Sequence, residues 1–362
     1  MRIPLFCLIA FAGLAFTSYG PLPQDTSPPW QSSETNRLPV TSAPVVAPAF
    51  DGSFPACVLH GAAVFWAAST HGVPKTLWVY KVVPQHFPFA AISNLMALGS
   101  FTFKDEQRGH RDISPTNEDT LFFFDKKRGC NLSVIPAKGE ITYWDDSARP
   151  NHWDKIRHEN EPVVGVPDEA TAQELGLKFL RQFGIRPADL AQTGHGHLLT
   201  FGKKQTRSYF DRATGKYVEN EVTSCGVFFN RRLDGINFAG TGIGGGAEID
   251  YSNHAKLAEF RLLWRNVQPF ERHAIATPDE ILQWIRDGKA VMTHKNPVNP
   301  GDVKKLTITA ISPLYMGASG DETQDFVYPF AQLEAVADLG GTNVNIQLYC
   351  PILSVSKPPA IH

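Results

Sequence analysis

Excess charge of either sign, thiols and long apolar runs are all scarce in these 362 residues. Lys plus Arg is 34 and Asp plus Glu is 36, and only 19% of the chain is charged. A net charge of −2 gives no sequence-wide electrostatic basis for binding nucleic acid or an acidic membrane. Only 5 cysteines occur, with no C-x-x-C or zinc-ribbon spacing, so a thiolate metal centre is not expected. The zinc-protease pattern H-E-x-x-H is absent. Gly317-Ala318-Ser319-Gly320-Asp321 breaks the G-x-S-x-G nucleophile elbow at its last residue. Beyond the first twenty residues no apolar run is long enough to span a membrane. What is present is a core-forming composition: 43% hydrophobic and 11% aromatic, enough to exclude disorder throughout. The length suits two or three folded units.

The N-terminus reads as an address. Arg2 precedes a nearly unbroken apolar run from Leu5 to Phe16, and the small residues Thr17, Ser18 and Gly20 follow. That order of charge, apolar stretch and small residues is expected of a secretory signal over residues 1–20. Residues 21–55 hold eight of the 27 prolines and read as an extended linker. Export makes the even set Cys57, Cys130, Cys225 and Cys350 candidates for two long-range disulfides of unspecified pairing, with four buried free thiols as the alternative. Asn131-Leu132-Ser133 is a glycosylation sequon, usable in a eukaryotic host.

Periodicity divides the remainder. Helical spacing runs over Phe89 to Leu98, over Asp168 to Phe183 and after the capping box Thr277-Pro278-Asp279-Glu280. Strands are expected at 120–124, 132–135, 141–144, 222–229, 236–239, 247–251 and 257–264, then over 306–311, 326–337 and 344–351. Asp234-Gly235 marks a tight hairpin. Helix followed by antiparallel strands recurs three times. The expected fold class is therefore α+β, with two or three repeated units of a helix packed on a small antiparallel sheet. The expected units are 56–160, 161–276 and 277–362.

Three stretches carry a family resemblance: the helix DEATAQELGLKFLRQFGI (168–185), the strand-rich segment 226–267, and TPDEILQWIRDGKA (277–290). Within the second, Phe228, Phe229, Arg231, Arg232, Asp234-Gly235 and Ile236 form a hairpin of apolar strand, basic residues, turn and apolar strand. Over about residues 167–290 the chain resembles extracytoplasmic modules of the PepSY type, related to bacterial secreted regulators and protease propeptides. The resemblance implies binding, inhibition or regulation outside the cytoplasm without chemistry.

The chemical motifs are sparse. Gly240 to Gly245 contains G-x-G-x-x-G, but an alternating strand follows where a dinucleotide site needs a helix, so no cofactor is expected. His195 and His197, placed at i and i+2, would face one side of a strand and hold one metal between them. Asp145-Asp146 and Asp321-Glu322 are paired acids in apparent turns. Phe122-Phe123-Phe124 reads as a strand packed on both faces. The function expected from these features is a secreted, non-catalytic binding or regulatory protein with a protein or peptide partner. The alternatives are a secreted metal-dependent hydrolase using His195 and His197, and a structural envelope component.

Overall fold

Alternating burial along short apolar stretches sets most of the elements in the computed structural model. It describes residues 57, 59, 61–102, 120–149, 163–211, 214–240, 245–292, 298–318 and 324–354. In chain order these form β1 (Ala63–Trp66), β2 (Thr76–Val83), α1 (Phe89–Leu98), β3 (Leu121–Asp125), β4 (Cys130–Ile135), β5 (Glu140–Asp145) and α2 (Glu169–Leu180). Then come β6 (Thr200–Asp211), β7 (Lys216–Asn230), β8 (Arg232–Leu233), β9 (Ile236–Gly240), β10 (Gly246–Tyr251), β11 (Leu257–Leu263) and β12 (Asn266–Ala274). The last are α3 (Pro278–Arg286), β13 (Val291–Met292), β14 (Lys305–Gly317), β15 (Phe326–Val327), β16 (Pro329–Asp338) and β17 (Asn343–Pro351). No helix among the described residues is long and apolar enough to cross a membrane. The signal and linker stretches, Cys7, His60, His110, His152, His158, residues 241–244 and the acids Asp321 and Glu322 lie outside the described residues.

The first sheet is antiparallel throughout, in the order β3-β4-β5-β11-β10-β7-β6. One face buries Leu132, Ile141, Tyr143, Val227, Phe229, Ile249, Phe260 and Leu262 against Ile92 and Leu95 of α1 and Ala172 and Leu180 of α2. Each such side chain contributes about 1.5–3 kcal/mol by leaving water. Helix α2 starts where Asp168 Oδ1 accepts the Thr171 N–H at 2.8 Å. It approaches the sheet closely because residue 176 is glycine: a Cβ there would lie 2.8 Å from the Phe229 ring.

A second sheet runs β13-β17-β16-β14-β9-β8, with β1 on β14. The long strand β14 pairs in parallel with β1 at its start and with β9 at its end. A three-stranded sheet, β12-β2-β15, shares its core. Helix α3 contributes Ile281, Leu282, Trp284 and Ile285 to that core. Its capping box forms: Thr277 Oγ1 accepts from Glu280 N at 3.3 Å, and Glu280 Oε2 accepts from Thr277 N at 2.7 Å.

The three expected helices and most expected strands form, β1, β2, β6 and β12 come in addition, and the fold class differs. The protein is mostly β, with three α-helices among its described residues and two seven-stranded sheets. Separate units of a helix on a small sheet are not formed, because their edge strands pair with each other. Strand β5 joins β11, so strands from two expected units make one sheet. The Asp234-Gly235 turn forms with both residues at positive φ, +49° and +80°. Its two strands, β8 and β9, belong to the second sheet, where β9 pairs with β14. Expected strand pairing of 247–251 with 257–264 forms as β10–β11. Phe122-Phe123-Phe124 also differs from expectation. Strand β3 is a sheet edge, where Phe123 is buried and Phe124 is exposed.

Candidate functional site

The face of the first sheet turned away from the helices carries charge at its centre. In Gly246–Tyr251 the apolar residues 247 and 249 point to the core, so Glu248 and Asp250 point the other way. Antiparallel register then places Asp250 opposite Glu259 and Glu248 opposite Arg261 on β11. Gly226 and Phe228 of β7 flank the acids on one side, and Trp144 of β5 lies beside Glu259 on the other. Asp250, Glu248 and Glu259 are only 2%, 4% and 6% exposed.

Arg149, just beyond β5, clamps two of these acids. Its Nη2 donates to Glu259 Oε2 at 2.8 Å and to Asp250 Oδ2 at 3.2 Å, with the guanidinium 4.0 Å from the Trp144 ring centroid. Ser224 Oγ and Gln205 Nε2 also donate to Asp250 Oδ2, at 3.1 and 3.4 Å. Glu248 is paired with Lys203 at 3.0 Å and with Arg261 at 3.7 Å. Three acids thus face three cations across four strands and one loop. Burial pushes the Asp250 carboxyl up to about 6; the neighbouring Glu259 adds to the rise, while Arg149, Ser224 and Lys203 oppose it. Asp250 Oδ1 and Arg149 Nε are enclosed without a hydrogen-bond partner. Such groups are costly in a sheet whose other face is apolar. The arrangement holds a guanidinium between paired carboxylates and an indole.

The residues singled out from sequence fall elsewhere. His195 and His197 lie on an exposed turn, not a strand: Thr193 O accepts the Gly196 N–H at 2.9 Å, and Gly196 has φ +79°. The shared-face argument for a metal therefore fails. Among the described residues no group of three His, Cys, Asp or Glu is placed to hold a metal ion. Asp145 caps a short turn, accepting from Ser147 N at 3.0 Å and from Arg128 Nη2 at 2.9 Å. Asn131 is half-buried in mid-strand, between Phe124 and Trp144 on the charged face.

All four cysteines are buried free thiols, so the two expected disulfides are not formed. Cys130 on β4 and Cys225 on β7 are four strands apart in one sheet, roughly 19 Å at the usual strand spacing. A disulfide needs Cα atoms within about 7 Å. Cys57 and Cys350 share the other core. Burial raises all four thiols, Cys57 to about 12 and Cys130 to about 11, which removes thiolate character at neutral pH.

Sequence reasoning missed Asp250 and Glu259 because acids in alternating strands ordinarily face water. Their legible trace was a hairpin in which Glu248-Ile249-Asp250 and Glu259-Phe260-Arg261 must oppose each other.

No family model matches the chain, and no curated protein matches it. A solved structure of an uncharacterized protein from Eubacterium rectale is similar over 80% of this chain and 86% of that one, at 11% identity and a TM-score of 0.38.

Proposed function

We propose that this chain is a non-catalytic binding protein that acts outside the cytoplasm on a protein or peptide partner. Its recognition surface is the charged face of the first sheet. The observation that carries this reading is the Arg149 clamp: two carboxylates and an indole converge on one guanidinium. A surface that holds its own arginine this way has the chemistry to hold the basic side chains of a peptide. Phe201 and Phe124, 56% and 40% exposed, lie on the same face and supply apolar contact area. The signal-like N-terminus supports the compartment, and the PepSY-type resemblance supports regulation by contact rather than by chemistry.

Binding to an array of extended peptides graded from acidic to basic tests this. Basic peptides are expected to be retained by the wild type and lost when Phe201→Ala and Glu248→Gln are combined. Retention of no peptide would refute the function. Undiminished retention by the double variant would refute the surface.

A further inference from the structure

Where the chain crosses from the first sheet to the second, one cation stands without an anion among the described residues. Arg231 follows β7 and is 8% exposed. Its Nη1 donates to the carbonyl oxygen of Arg265 at 2.6 Å. Its guanidinium carbon lies 5.0 Å from the Trp264 ring centroid and 5.2 Å from that of Phe238. The backbone holds this arrangement closed: Gly245 O accepts the Arg231 N–H at 3.0 Å, and a Cβ on Gly245 would lie 2.7 Å from the Phe238 ring. Among the described residues no carboxylate makes an ion pair with Arg231. Asp189, the acid whose charge it feels most, is engaged by both Nε and Nη2 of Arg186 at 3.1 Å. Tyr80, the other neighbour that it feels, donates its hydroxyl to Asp234.

A buried guanidinium with aromatic walls and a single carbonyl partner is an expensive feature unless something neutralises it. Among the described residues only Nη1 of the guanidinium has an acceptor, which leaves Nε and Nη2, and neither is among the enclosed atoms that lack a partner. Those two N–H groups point the same way on one edge of the guanidinium. Their spacing matches the two oxygens of a carboxylate. Burial lowers the Arg231 pKa to about 10, which leaves it cationic at neutral pH.

We infer that Arg231 anchors an anion-binding site that takes one carboxylate through its Nε and Nη2, between the rings of Trp264 and Phe238. The site shares no residue with the charged face of the first sheet, so its failure would leave the proposed function standing. The walls favour a carboxylate attached to an apolar or planar group, and benzoate is the simplest probe.

The test follows the Arg231 Nε–H resonance of the 15N-labelled full chain during titration with benzoate, benzamide and inorganic phosphate, with assignment from the Arg231→Lys spectrum. A saturable shift with benzoate and none with benzamide is expected. Arg231→Lys keeps the charge and loses the fork. Its benzoate affinity, read from the Trp264 indole N–H, should fall at least about tenfold, the effect of losing a charge-assisted hydrogen bond. Equal shifts with benzamide, or none with benzoate, would overturn the inference. A response to phosphate alone would overturn the carboxylate assignment. Should Arg231→Lys fail to fold, the wild-type comparison of benzoate with benzamide is read from the Trp264 indole N–H, assigned from the Trp264→Phe spectrum, and decides the matter.

Discussion

The buried carboxyl of Asp250 makes stability depend on pH in a direction opposite to that of an ordinary surface acid. In the unfolded chain it titrates near 3.8, and in the folded protein near 6, because burial disfavours its charge. Between these values the folded state holds a proton that the unfolded state has lost, so stability falls as pH rises through the window. The stabilising contribution is complete below about pH 4 and gone above about pH 6. A shift of about two units corresponds to about 3 kcal/mol. Asp250→Asn removes the titration and leaves other carboxylates in place. Arg149, Ser224, Gln205, Lys203 and Glu259 face residue 250 in both proteins. Urea unfolding of the two proteins from acid to neutral pH isolates the effect. The wild type is expected to lose about 3 kcal/mol relative to Asp250→Asn on going from about pH 4 to about pH 7. A difference that stays flat, or grows in favour of the wild type, would refute the assignment of a raised carboxyl at this position.

Four other consequences are open to measurement. Arg149→Met leaves Asp250 and Glu259 facing each other without their shared cation, and should cost about 3 kcal/mol in urea unfolding at neutral pH. Alkylation of the native protein should leave all four buried thiols unmodified, and peptide mapping after unfolding without reductant should find no Cys130–Cys225 bridge; such a bridge would contradict the strand order. Thr277→Ala removes the cap of α3 and should cost about 1 kcal/mol, read as a lowered Tm. Gly176→Ala gains about 1 kcal/mol of helix propensity but drives a methyl to 2.8 Å from the buried Phe229 ring. Overpacking of this kind costs about 1–3 kcal/mol, so the variant should be less stable, and a raised Tm would show that the helix can shift.

Much of the local structure was legible because its causes are local. Thr277, Pro278 and Glu280 specify the start of α3 among themselves, and Asp234-Gly235 requires its turn whatever lies around it. The spacing of Ile92, Leu95 and Met96 is enough to give α1 a buried face. The candidate site was less legible. Asp250, Glu259 and Arg149 are far apart in sequence, and their shared charge balance appears only once β5, β10 and β11 lie side by side. His195 and His197 were misplaced for a related reason. Two-residue spacing defines a face only on a strand, and Gly196 turns the chain there.

The boundary between the two kinds of information is clear in strand pairing. Sequence alone marked stretches of β3, β4, β5, β7, β9, β10, β11, β14, β16 and β17 and the turns at Asp234-Gly235 and between β10 and β11, since these depend on neighbouring residues and on water, but it left β1, β2, β6 and β12 unmarked. Tertiary structure alone decided which edges meet: β5 with β11, β9 with β14, β1 with β14. Backbone hydrogen bonds are alike along every strand, so partner choice rests on the summed burial of two cores rather than on any local signal. That choice merged the expected small units into large sheets, kept Cys130 from Cys225, and brought three acids and three cations onto one face.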